Sequence, residues 1–296
     1  MQQVLNALVL WSIYVLFALG LSLAWGTLNV LNLAHGATFM FGAFSVVLLS
    51  EHADIPFGVL VPLAMVFGGL ISVLLDLLVF RPIRARVGNS REAELLMLIG
   101  SVGAASIMVT IAQQATDDSP FGIPEGSALR SAVYRFGGFS ISTIQIVIIV
   151  LGVALAALLG WWIRSSRYGR ALRAVAFDGE TAQLMGVNPG RLSTATMFAA
   201  GALAGLASVL LISHVGALTP TSGDNLLLKA FAMIILGGIG SIAGVLAGAA
   251  VVAVGETLVL TFTSGTWVDA ASFAIIIAVI LIRPQGIFVA QKADRV

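Results

Sequence analysis

The chain has 296 residues, of which 59% are hydrophobic and only 10% charged, with a mean hydropathy of +1.04 and a formal net charge of +1. That composition cannot give a soluble domain its charged, water-facing surface, so an integral membrane protein is expected. The absence of cysteine excludes disulfides, thiolate metal sites and cysteine nucleophiles; no metal site and no nucleic-acid partner are expected.

Apolar runs of the length that crosses a bilayer core as helix recur along nearly the whole sequence. Stretches such as Ile144 to Ile163 are apolar on every side, whereas barrel strands would alternate. The expected fold is one all-α, polytopic domain covering residues 1–296. Spans are predicted at about 5 to 27, 36 to 50, 57 to 80, 93 to 115, 142 to 164, 191 to 214, 228 to 238 with 241 to 262, and 268 to 283, about eight helices in all. The piece at 36 and the piece at 228 are short for full crossings. No Lys or Arg precedes the first span and no evident small-residue cleavage site follows it, so it reads as a retained helix rather than a signal peptide.

The first span runs into "LNVLNLAHGATFMFGAF", Leu28 to Phe44. Asn29 and Asn32 can cap or turn the backbone, His35 can hydrogen-bond at the turn, Gly36 relaxes the chain, and a helix restarts through Ala37, Met40 and Phe44. A helix breaks inside a bilayer only where the freed backbone groups are buried in protein or face a water-filled cavity. The 28–36 segment is therefore a candidate border of a conduit. Further on, Asp76 reads as an interfacial anchor within reach of Arg81 or solvent.

The longest basic loop runs from Arg164 to Arg191. Arg170 to Phe177 should form a short helix, Asp178 should cap a second one whose positive end Glu180 complements, Gly186 should end it, and Pro189 should prevent its resumption. Leu172, Val175, Leu184 and Met185 would then need a partner or a lipid surface, and the arginines offer anionic lipid as the alternative.

A second interruption follows in "LGGIGSIAGVLAG", where Gly237, Gly238, Gly240 and Ser241 divide a short apolar piece from a longer one. Gly240, Gly244 and Gly248 also have the four-residue spacing of close helix packing. Two interrupted segments in opposite halves are the sequence pointer to a transport site. Glu256, deeper in the next span, either shapes the conduit or hydrogen-bonds as the neutral acid to a neighbouring Thr or Ser.

Twelve of the fifteen basic residues fall on one side of this arrangement: Arg81, Arg84, Arg86, Arg91, Arg164, Arg167, Arg170, Arg173, Arg191, Arg283, Lys292 and Arg295. Lys and Arg accumulate in cytoplasmic loops, which places the carboxyl terminus inside and the amino terminus outside.

"ETAQLMG", with Glu180, Ala182 and Gly186, has the spacing of the E-A-A-x-x-x-G motif by which permeases of ATP-binding-cassette importers dock onto their ATPases. Together with "NVLNLAHGATFMFGAF", "FRPIR", "RYGRALRA", "LGGIGSIAGVLAG" and "RPQGIF" in this order, the chain resembles the branched-chain amino acid permease family, in the branch of the H-type permease of high-affinity leucine/isoleucine/valine importers. The resemblance implies that Glu180, Ala182 and Gly186, with Arg170 and Arg173 beside them, couple to the ATPase. It also implies that the breaks at Asn32 to Gly36, with His35, and at Gly237 to Ser241, with Gly238 and Gly240, border the translocation path, and it assigns no substrate contact to a side chain; Asn29 and Glu256 are path candidates from the residue reading alone. Some relatives carry an acidic residue where this chain has Ala37, and an aromatic where it has Leu33. The family also contains permeases for urea and short amides.

The chain has no G-x-x-x-x-G-K-[ST] phosphate loop; its lysines are Lys229 and Lys292, and neither follows Gly. No enzymatic activity and no bound cofactor are expected, ATP being hydrolysed by partners. Those partners are two ATPase subunits, a second homologous permease and an extracytoplasmic solute-binding protein, assembled with membrane lipid in a bacterial cytoplasmic membrane. A passive channel for a small solute is the alternative of a different class. An ion-coupled carrier would need a chain of buried carboxylates, which the spans lack.

Overall fold

The computed structural model describes residues 1–28, 31–87, 90–129, 131–238 and 240–263, with 267, 268, 270, 273, 274 and 277. Its helices are α1 (Gln2–Leu28), α2 (His35–Ser50), α3 (Phe57–Leu75), α4 (Arg81–Arg86), α5 (Ser90–Thr116), α6 (Thr143–Ser165), α7 (Arg167–Phe177), α8 (Gly179–Leu184), α9 (Pro189–Val215), α10 (Ser222–Gly237) and α11 (Ile242–Phe262). A π-helical turn, Asp76–Phe80, joins α3 to α4 without a break. Among the described residues, six helices are long and apolar enough to cross a membrane: α1, the continuous α3 to α4 rod, α5, α6, α9 and α11. The chain is a polytopic, essentially all-α membrane protein. Asn29 and, apart from the isolated positions above, the expected span at 268 to 283 and the basic tail lie outside the described residues.

α2 and α10 have 16 residues each, about 24 Å of helix at 1.5 Å per residue, against a hydrocarbon core of about 30 Å. Both are short, as expected. α10 nevertheless starts six residues before the predicted 228, because hydropathy misses its polar first turn, where Asp224 complements the helix dipole.

α1 and α9 are the most deeply buried spans, whereas α5 and α6 leave most of their apolar surface uncovered. Lipid tails are as apolar as leucine, so helices in a bilayer associate through close packing rather than hydrophobic exclusion. The α3–α9 contact shows this: a β-carbon on Gly201 would strike the Gly68 carbonyl, and one on Gly205 the carbonyl of Ala64.

At one end of the bundle an element appears that the sequence reading did not anticipate, an antiparallel hairpin of β1 (Val133–Phe136) and β2 (Phe139–Ser142). Gly137 and Gly138 turn it with positive φ of 27° and 125°, a region in which glycine is unstrained. The Ser140 N–H donates to Gln2 Oε1 at 2.9 Å, tying the hairpin to the start of α1. Ser142 then caps α6 in a reciprocal box with Gln145. The opposite end collects the arginines of α4, the end of α6, α7 and the start of α9.

Candidate functional site

At the first interruption the backbone leaves α1 and turns back at Asn32. The Asn32 Oδ1 accepts from the Ala34 N–H at 3.0 Å, and its main-chain carbonyl accepts from the His35 N–H at 3.3 Å. Asn32 therefore turns the chain as expected. His35 is fully buried, with its ring 4.7 Å from that of Phe17 and its Nε2 3.2 Å from the Phe17 carbonyl oxygen. A carbonyl can only accept, so Nε2 carries the proton and Nδ1 is left as an acceptor. Asn32 Nδ2 and His35 Nδ1 are buried without a hydrogen-bond partner among the described residues. Native proteins leave few such atoms; among the described residues two of the three lie at the break, the third being Ser72 Oγ in α3.

Gly36 starts α2 in backbone contact with α10: a β-carbon on Gly36 would strike the Gly223 carbonyl, and one on Gly223 the Gly36 carbonyl. The second interruption is built from Gly238 (φ 96°) and Gly240 (φ 79°), conformations that other residues adopt only with strain. Gly237, on the α10 side, abuts Gly244 on the α11 side, while Gly248 abuts the Met233 backbone. Ser241 restarts the helix as its N-cap, accepting from the Gly244 N–H at 3.1 Å. The packing role expected for this glycine series thus holds at Gly244 and Gly248, and Gly240 belongs to the turn.

The two interruptions are connected. Gly26, at the end of α1, faces Gly240, and α10 reaches from the start of α2 to the second break. Leu19, Ser22, Leu23 and Gly26 of α1, Leu172, Arg173 and Ala176 of α7, and Gly240 and Ile242 line a half-open cavity of about 90 Å³. The basic segment therefore shares a cavity with the second break.

Glu256 is 2% exposed and is held by two groups that the sequence reading did not bring to it. Lys229 Nζ lies 2.9 Å from its Oε1, and the Tyr14 hydroxyl donates to its Oε2 at 2.5 Å. The signal was available: Lys229 is the one basic residue in the apolar run of α10, and a buried ammonium requires a counter-charge.

Asp76 corrects a second expectation. It is fully buried rather than open to solvent, and its partner is Arg84 at 2.5 Å, not Arg81. Ser193 and Thr194, in the first turns of α9, donate to its Oδ1 and Oδ2 at 2.9 and 2.8 Å. The carboxylate joins the π-turn to the helix that emerges from the basic loop.

That loop is helical as expected. Ser166 caps α7, accepting from the Gly169 N–H. Arg170 and Arg173 donate to the carbonyls of Ser165 and Ile163 at 3.1 and 2.5 Å, closing the end of α6. The Tyr168 ring stacks on Trp162, with its hydroxyl 2.8 Å from Thr196 Oγ1. Burial raises the Tyr168 phenol above its ordinary pKa, against the opposing effect of the Thr196 hydrogen bond. Asp178 caps α8, accepting from the Thr181 N–H at 3.1 Å. Gly186 closes α8 with φ 89°; α8 does not resume, and Pro189 begins α9 in its first turn, two residues before the expected 191. The Glu180 backbone lies in the first turn of α8; its side chain is outside the described residues. Ala182 is buried, and so is Leu172, against the chain itself. Val175 is half-buried, and the large apolar side chains left uncovered there are Phe177 (79% exposed), Leu184 (88%) and Met185 (81%).

Comparison with known proteins gives a family match, described as branched-chain amino acid transport system / permease component, over residues 3–280. The chain is 31% identical to the high-affinity branched-chain amino acid transport system permease protein LivH of Salmonella typhimurium, covering 100% of this chain and 97% of that protein. LivH of Escherichia coli K12 gives 31% with the same coverage. BraD of Pseudomonas aeruginosa, which carries the same description, is 30% identical over 100% of this chain and 98% of its own length.

Proposed function

The chain belongs to the family of branched-chain amino acid transport system permease components, and from that premise we propose that it is the membrane-spanning permease of an ATP-binding-cassette importer for branched-chain, small neutral amino acids. One observation carries the reading: two interrupted helices meet through glycine contacts, and a capped basic segment that exposes Phe177, Leu184 and Met185 shares a cavity with the second of them. A helix interruption inside a bilayer offers unpaired backbone and polar groups to a passing solute. Asn32 Nδ2 and His35 Nδ1 supply a donor and an acceptor there.

Energy comes from partners. Two ATPase subunits dock at α8, where Glu180, Ala182 and Gly186 stand in the family's coupling spacing. A second, homologous permease packs alongside, where α5 and α6 leave apolar surface uncovered, and an extracytoplasmic binding protein delivers the solute at the hairpin end. The arginine-rich end faces the cytoplasm, so the amino terminus lies outside the bacterial inner membrane. The six long helices, with α2 and the apolar 268 to 283 segment, make about eight. ATP-driven closure of the ATPases displaces α7 and α8, moves the helices flanking Asn32 to Gly36 and Gly237 to Ser241, and opens the path alternately to each side. Gly238 belongs to the same path, while Glu256 holds α10 through Lys229.

The test is co-purification of the tagged chain with its ATPases, followed by binding of leucine, isoleucine, valine, urea and short amides to the partner receptor. Binding of the three branched amino acids supports the reading. A receptor that takes only urea or amides moves the chain to that branch of the family.

A further inference from the structure

α10 touches both interruptions, and it is held in two different ways. Near its ends it makes backbone contacts through glycine, with Gly223 against Gly36 of α2 and Gly237 against Gly244 of α11. In its middle Lys229 crosses to Glu256 of α11 at 2.9 Å, and Tyr14 of α1 donates to the same carboxylate at 2.5 Å. We propose that Lys229, Glu256 and Tyr14 form the pivot about which α10 rocks during transport, so that one fixed point governs both breaks; the inference rests on the permease reading above.

The physical contrast between middle and ends supports this. At the glycine contacts backbone packs on backbone, so a small shift there gives up some dispersion contact but separates no charges. Parting a buried ion pair leaves charges without partners in a medium that solvates them poorly, and is far more costly than sliding. Motion of α10 therefore follows the course that keeps the pair closed. Gly223 and Gly237 lie about 9 and 12 Å along the helix from Lys229 at 1.5 Å per residue. A tilt of about 10° about the pair displaces those ends by roughly 1.5 to 2 Å, comparable with the 1–2 Å helix shifts by which switching proteins work. Displacing Gly223 releases the start of α2, beside Asn32 and His35; displacing Gly237 releases the turn at Gly238 to Ser241. Lys229 and Glu256 are positioning residues in this account and need not meet the solute.

The experiment uses the full complex in proteoliposomes, with ATPases, second permease and receptor. The apolar pair K229M/E256M is informative because buried ion pairs are commonly replaced by apolar residues without loss of folding. It should assemble and keep basal ATPase activity within about twofold, yet lose at least tenfold in uptake and lose stimulation of the ATPase by loaded receptor. K229R, which keeps the charge pair, should stay within about threefold of wild type in uptake. Unimpaired uptake by K229M/E256M, with wild type transporting, overturns the pivot alone. If wild type shows no ATP-dependent uptake, the permease reading falls and the pivot with it. Should the double variant fail to assemble, Tyr14→Phe decides, since it removes one donor and leaves the ion pair: stimulation should fall two- to fivefold, and unchanged stimulation overturns the proposal.

Discussion

Gly26 of α1 faces Gly240 so closely that a β-carbon on Gly26 would stand 3.0 Å from the Gly240 α-carbon. The end of the first long helix thus closes against the turn of the second interruption, and both must move if either opens. Gly26→Val should leave the complex assembled and reduce uptake at least fivefold, because the added methyl groups wedge this contact. Initial rates of labelled leucine uptake check it, and a wild-type rate would mean that the contact is incidental.

The reciprocal contact of Gly36 with Gly223 predicts a stability effect. An alanine at either position pushes a methyl group into a carbonyl of the other helix, and overpacking of this kind costs about 1–3 kcal/mol. Both single variants should melt several degrees lower in detergent, and the double variant less than the sum, since the two methyls strain one contact. Additive losses would contradict a shared contact.

At the exposed tip, changes should affect docking and spare folding. Leu184→Asp and Met185→Asp alter side chains that are 88% and 81% exposed, where substitutions usually stay within about 0.5 kcal/mol. Each should weaken ATPase co-purification at least fivefold, as for an interface residue worth more than about 1 kcal/mol, with membrane abundance unchanged. Gly186→Ile should act in the same direction through strain at φ 89°. Undiminished co-purification in all three would remove α8 from the interface.

The Asp76 cluster predicts an order of effects. Asp76→Ala removes the acceptor for Arg84, Ser193 and Thr194 together. Breaking a buried pair costs about 3–5 kcal/mol, reduced here to about 1–3 kcal/mol because the Arg84 side chain is 29% exposed. Arg84→Ala instead strands the buried carboxylate, 1% exposed, on two hydroxyl donors and should cost at least as much. Thermal unfolding in detergent would refute the cluster's role if Arg84→Ala proved harmless.

How far the sequence could be read depended on the signal's range. Long spans such as Thr143–Ser165 are legible because twenty apolar residues in a row have one common outcome in a bilayer. The turns at Asn32 and at Gly238 to Ser241 were legible through local backbone chemistry, as were the Asp178 cap and the Gly186 stop. The β-hairpin was missed because its strands are four residues long and its anchor, Gln2, lies 138 positions away. The pairing of Lys229 with Glu256 and Tyr14 was missed for the same reason of distance. A one-chain reading shows that a buried charge needs a partner but not which helix supplies it. Asp76 was misplaced because the π-turn brings Arg84 rather than Arg81 to its carboxylate.

The central claim is that this chain is a conduit driven by ATP hydrolysed on other subunits. Proteoliposomes containing it with its ATPases, second permease and receptor should accumulate leucine only with ATP on the side of the arginine-rich end and receptor on the other. Omission of the ATPases should abolish uptake. Equal uptake by the chain alone, indifferent to ATP, would contradict the account.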